Sequence, residues 1–141
     1  MIARLNGILY DAGETSCVID TGGVGYLVFC SQRTLSKMPS NGESVSLHIE
    51  THVRDDHIHL YGFKDTVERD WFNLLNSVQG VGARVALGIL GVLSIEDLFN
   101  GIASQDKALL TRAPSIGPKL GGRICAELKE KVEKMTNPTV A

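Results

Sequence analysis

Along the first sixty residues, apolar and polar positions alternate with period two. Val45, Leu47, Ile49, Thr51 and Val53 fall on one side of one such segment, and Ser46, His48, Glu50 and His52 on the other. That is the pattern of a strand with one buried face. After the turn RDD, the segment HIHLYGF alternates again, with Ile58 and Leu60 on one side. IARLNGILY, TSCVID and GYLVFC come earlier, separated by Gly and Asp clusters. Short strands at this spacing predict an antiparallel barrel or sandwich. SQRTLSKM predicts one or two helical turns inside it, and PSNGE a turn.

From Asp65 the period lengthens. Val67, Trp71, Leu74 and Val78 recur at helical spacing and predict one buried helix face. Ser94 followed by Asp97 predicts the capped start of another helix. Residues 105–112 predict a short third. Leu120, Ile124, Leu128 and Val132 predict a last one, opened by Pro118, whose missing N–H loses nothing in a first helical turn. The fold class expected is α+β with two domains: a β-barrel over 1–63 and a helical domain over 64–134. Residues 135–141, ending NPTVA, read as the start of a linker.

The chain of 141 residues is 43% apolar, enough for real cores. The longest apolar run, VALGILGVL, is far too short to span a bilayer. The opening MIARLNGILYDAG lacks a basic-then-apolar leader, so no signal peptide and no membrane partner are expected. Cys17, Cys30 and Cys125 form no CxxC pair and read as reduced thiols of a cytoplasmic protein. His48, His52, His57 and His59 lack the thiols or close carboxylates that would complete a metal site, so no metal or other cofactor is expected. The net charge of −2 argues mildly against nucleic acid as a partner. Its distribution softens that objection, since residues 1–63 hold four basic against seven acidic residues and 64–141 hold ten against nine.

One phrase is written twice. QGVGARVALGIL at 79–90 returns as PSIGPKLGGRIC at 114–125. With Gly82 placed on Gly117, Gly80 meets Ser115, Val81 meets Ile116, Arg84 meets Lys119 and Ile89 meets Ile124. Each unit predicts helix, tight turn, helix. The amides opening the second helix have no internal acceptor, and the helix dipole adds partial positive charge there. A phosphate suits such a place. Arg84 and Lys119 stand two residues past the key glycines, and Arg123 lies one turn beyond Lys119. A single copy would read equally well as a close-packed helical corner. Two copies with a cation at the same offset favour phosphate binding, and the arrangement resembles the helix-hairpin-helix motif. No P-loop pattern exists, and GGVGY at 22–26 lies between strands, so it reads as hairpin glycine rather than a dinucleotide site.

MIARLNGIL, GGVGYLV, HVRDDHIHLYGF, ERDWFNLLNSVQGVGARVALGIL and SIGPKLGGRICAELKEKV stand in an order and spacing that resemble the RuvA family over residues 1 to about 134. The resemblance implies an OB-like barrel, a helical domain with tandem hairpins, and a non-catalytic subunit that binds Holliday junctions. Its DNA-binding residues would be Gly80, Val81, Gly82, Arg84, Ser115, Ile116, Gly117, Lys119 and Arg123. The family's acidic pin would fall on Asp55 and Asp56, which by themselves read as turn chemistry. Partners implied are four-way junction DNA, a RuvB-type hexameric motor ATPase, the junction resolvase, and further copies of the chain as a homotetramer or octamer. The family's motor-binding domain has no counterpart within these residues.

Departures from the family pattern carry expectations too. Ser115 replaces a glycine; if the turn needs a positive φ there, this costs on the order of 1 kcal/mol. Its hydroxyl is alternatively a donor to phosphate. Gly121 and Gly122 stand where the family has better helix formers, about 1 kcal/mol each, which predicts a looser second hairpin. Two other classes fit the sequence less well. A helix-hairpin-helix glycosylase needs a catalytic Asp downstream of its hairpin, yet 126–141 contains none and Asp106 is poorly placed. A protein-interaction module built from the same hairpins would bind no DNA.

Overall fold

The computed structural model describes residues 1–135, and the chain divides into two compact units, Met1–Asp70 and the part from Trp71 onward. The expected linker lies, from residue 136, outside the described residues.

The first unit is a closed five-stranded barrel in the order β1-β2-β3-β5-β4. Its strands are β1 (Arg4–Ala12), β2 (Ser16–Thr21), β3 (Val24–Phe29), β4 (Ser44–Val53) and β5 (Ile58–Phe63), with α1 (Gln32–Ser36) between β3 and β4. Only β3 and β5 pair in parallel. The OB-like expectation holds. Leu5, Leu9, Ile19, Val28, Leu47, Ile49 and Leu60 fill the interior with Cys17 and Cys30, as the alternation requires. Each such side chain contributes roughly 1.5–3 kcal/mol by leaving water. All three cysteines are buried free thiols. The GGVGY glycines turn β2 into β3, with Gly22 at φ 68° and Gly23 at φ 101°.

The alternation stops predicting burial at one end. Val53 is 58% exposed and Ile58 66% exposed. They face each other as the last pair of the β4–β5 ladder, and β1 pairs with β4 only as far as His48. At this Val53–Ile58 end no third strand among the described residues pairs with the hairpin.

The face predicted for the first long helix is also corrected. In α2 (Thr66–Asn76), Val67 is 47% exposed and Glu68 is 3% exposed. The Glu68 carboxylate accepts from the Ser31 hydroxyl at 3.1 Å, the Thr34 hydroxyl at 2.8 Å and the Lys64 amide at 3.1 Å. Ser31 Oγ in turn accepts from the Thr34 amide and caps α1. Three donors satisfy the carboxylate, so it takes the inward position that periodicity gave to valine.

The second unit holds α3 (Ala83–Val92), α4 (Ile95–Ala103), α5 (Lys107–Leu110) and α6 (Pro118–Glu133). Trp71, Phe72, Leu75, Ile89, Leu98, Ile102, Leu110 and Ile124 are its fully buried side chains of note. Ser94 caps α4, accepting from the Asp97 amide at 3.0 Å as expected. The third helix is shorter than predicted. Gln105 sits at φ 57°, outside the helical region, and its side-chain amide donates to the carbonyls of Ile102 and Cys125. Asp106 then caps α5, accepting from the Leu109 amide at 3.3 Å. Among the described residues, no single helix is long and apolar enough to cross a membrane.

Candidate nucleic-acid interface

The repeated phrase folds into two turns with matching backbones. In the first, Val81 N–H donates to Val78 C=O at 3.0 Å; in the second, Ile116 N–H donates to Ala113 C=O at 3.3 Å. Gly80 has φ 95° and Ser115 has φ 68°. Val81 and Ile116 are buried and anchor the turns to the core. Gly82 and Gly117 are then the N-caps of α3 and α6, at φ −79°, ψ 176° and φ −88°, ψ 176°. The first intrahelical bonds are Ala86 N–H to Gly82 C=O and Gly121 N–H to Gly117 C=O, each 2.9 Å.

The two cap glycines are not explained by the protein's own needs. Any residue adopts their φ. A Cβ added at either would meet no heavy atom within 4 Å. Neither glycine supplies a capping side chain, and neither helix start has a side-chain cap bond. Both sites are exposed, with first-turn amides and the positive end of the dipole facing outward. Pro118 makes the second site one amide poorer than the first.

Arg84 and Lys119 are exposed beside these caps. Arg123 reaches across to the other turn: its Nη1 donates to Gln79 C=O at 3.4 Å. Leu120 Cδ1 lies 3.3 Å from where a Gly80 Cβ would be. The two turns are therefore held against each other by residues of α6. Sequence reasoning missed a further cation. Lys107 Cδ lies 3.8 Å from the Cβ position of Gly122, so its stem runs against the bare backbone of α6 there. No periodicity announces this, because residues 107 and 122 belong to different helices.

The expectation of a loose second hairpin is corrected at Gly121. A Cβ there would lie 3.0 Å from the Lys107 carbonyl oxygen and 3.5 Å from Leu110 Cβ. Gly121 is buried, and α5 and α6 approach closely through it. Gly122 has only ordinary contact distances and needs no glycine for packing.

Asp55 and Asp56 lie in the four-residue connection between β4 and β5, closed by Arg54 N–H donating to His57 C=O at 2.8 Å. The Asp56 side chain is 85% exposed, and its Oδ1 lies 2.8 Å from His57 Nδ1. The His57 and His59 rings stack with centroids 3.9 Å apart. His52, cross-strand from His59, is held below the usual imidazole pKa, first by burial and then by the Arg54 charge. Among the described residues, no group of three His, Cys, Asp or Glu is arranged to hold a metal ion.

Two family models match this chain: the RuvA N-terminal domain over residues 1–62 and the SAM-like helix-hairpin-helix tandem over 72–130. Curated relatives align across nearly the whole of it. A protein of Nitrobacter winogradskyi is 52% identical over 142 residues, covering 99% of this chain and 69% of the relative. The chain belongs to the RuvA family. A RuvA of Methylobacterium radiotolerans is 55% identical over 93% of this chain and 64% of its own length. One of Bradyrhizobium sp. strain ORS 278 is 53% identical over 97% and 67%. This chain thus spans about two thirds of the length of the curated RuvA proteins it matches. All three are named Holliday junction branch migration complex subunit RuvA.

Proposed function

We propose that the chain binds four-way DNA junctions by structure rather than sequence, as the non-catalytic subunit of a branch-migration complex in recombination and repair. The observation that carries this is the pair of uncapped helix starts at Gly82 and Gly117, alike in backbone and open to a ligand. A phosphate oxygen accepts from such amides. In the helical domain, 64–134, the turns Gly80–Val81–Gly82 and Ser115–Ile116–Gly117 follow one duplex backbone. Arg84, Lys119, Arg123 and Lys107 neutralise phosphates around them. Contacts of this kind carry no base information, so the shape of the DNA is what is read.

In the barrel domain, 1–63, Asp55 and Asp56 form the acidic pin. They repel phosphate near the crossover while the hairpins attract it along the arms, which favours four separated arms over a continuous duplex. The names of the relatives support membership of a branch-migration complex; the fuller assembly proposed with it is a homotetramer or octamer in the bacterial cytoplasm, with a RuvB-type hexameric motor ATPase that does the hydrolysis and the junction resolvase. The chain itself needs no cofactor.

Gel-shift titration of a four-way junction and a linear duplex, at several salt concentrations, tests the reading. Tighter binding of the junction, without sequence preference and weakening with salt, is expected; equal affinity for both forms overturns it. Replacing Asp55 and Asp56 together by Asn preserves or raises affinity for duplex while narrowing the preference for the junction. A uniform loss across all DNA forms would remove the pin from the proposal.

A further inference from the structure

The hairpin that carries the acidic turn also carries rings. His59 and Tyr61 alternate along β5, His57 stands at the same spacing just before its first residue, and His52 lies across from His59 on β4. His57 and His59 stack at 3.9 Å with their planes 26° apart. His59 is supported in turn: its Nδ1 lies 3.4 Å from the Tyr61 hydroxyl, and the Phe29 ring centroid is 5.1 Å from its own. At the outer end, His57 Nδ1–H donates to Asp56 at 2.8 Å, which sets the orientation of its ring. The His57 side chain is nonetheless 38% exposed.

An exposed ring fixed by a carboxylate on one side and a stacked ring beneath is preorganised to receive another flat group. Two aspartates beside it disfavour a phosphate. The face of a nucleobase has no such conflict, and histidine is among the side chains on which unpaired bases stack. Such stacking tolerates any base, because every base has a π-face. An unpaired base is available only where a duplex has been parted.

We propose that His57, backed by His59, is a stacking platform for a nucleobase unpaired beside the Asp55–Asp56 turn. This rests on the junction-binding reading, in which that turn lies at the crossover. The platform adds a hold on the base to the repulsion of its phosphates: the parted strand is both pushed off its partner and given a surface to rest on.

The test uses a four-way junction with 2-aminopurine next to the crossover, and a second with it mid-arm, bound by the whole chain. Four proteins are compared: wild type, His57→Ala, His57→Phe and His57→Asn. Phe keeps a ring and loses the bond to Asp56, whereas Asn keeps a donor and loses the ring. At the crossover, wild type and H57F quench the fluorophore, while H57A and H57N leave it brighter and bind the junction on the order of fivefold more weakly. The mid-arm probe does not distinguish the four. If H57N matches wild type, or all four give the same crossover emission, the platform is overturned while junction binding stands. If wild type shows no preference for the junction over duplex, the underlying reading fails and the platform with it.

Discussion

At the scale of single residues, Ser115 and Gly117 separate the demands of the fold from those of a ligand. Ser115 occupies a left-handed conformation that its quasi-equivalent, Gly80, adopts without strain. Ser115→Gly is therefore expected to raise stability by about 1 kcal/mol, read as a higher urea midpoint at unchanged slope. Gly117 is the opposite case. Its φ suits any residue and its surroundings are empty, so Gly117→Val should fold with a loss of only about 1 kcal/mol at the helix cap. The branched side chain would nonetheless stand where a phosphate approaches. Junction affinity should fall at least tenfold, on the order of one or two lost charge-assisted bonds, in gel shifts matched for folded protein.

At the scale of elements, two adjacent glycines in α6 have opposite meanings. Gly121 lets the Lys107 carbonyl approach to a distance that a methyl group would crowd, and α5 is too short to shift without disturbing Leu110. Gly121→Ala should destabilise by roughly 1–3 kcal/mol through overpacking. Gly122→Ala meets only the stem of Lys107 at an ordinary distance and should stabilise by up to about 1 kcal/mol. Thermal unfolding of the two variants, one below and one above the parent, checks the assignment. The buried Glu68 ties α1 to the start of α2 in a similar way. Glu68→Ala leaves the Ser31 and Thr34 hydroxyls without their acceptor and should cost about 1–3 kcal/mol.

At the scale of the whole molecule, the sum of charges is a poor guide to what the surface does. A net charge of −2 coexists with exposed Arg84 and Lys119 in the first turns of α3 and α6, and with Arg123 and Lys107 on or against α6, in one unit, while two carboxylates stand on an exposed turn in the other. Within about a Debye length, ~8–10 Å at working salt, each group acts on its own surroundings rather than through the total. Lys107→Met keeps the aliphatic stem over Gly122 and removes only the charge. The slope of log affinity against log salt should become shallower by about 1 for junction and duplex alike. An unchanged slope would return Lys107 to a packing role.

The alternation of β1 to β5, the helical period from Asp65 onward and the repeat of the hairpin phrase were legible in the amino-acid order alone. Each is a local periodicity repeated often enough for burial to enforce it. The same order paired Gly82 with Gly117 and Arg84 with Lys119, because a repeat needs no coordinates to be seen. What it could not carry were meetings between distant positions. Lys107 over Gly122, Arg123 on the Gln79 carbonyl and Glu68 beneath Ser31 and Thr34 depend on how separate elements pack. So does the exposure of Val53 and Ile58, which follows from where β1 stops pairing with β4. Period is written along the chain, but the partner that completes a contact is chosen only when the chain closes on itself.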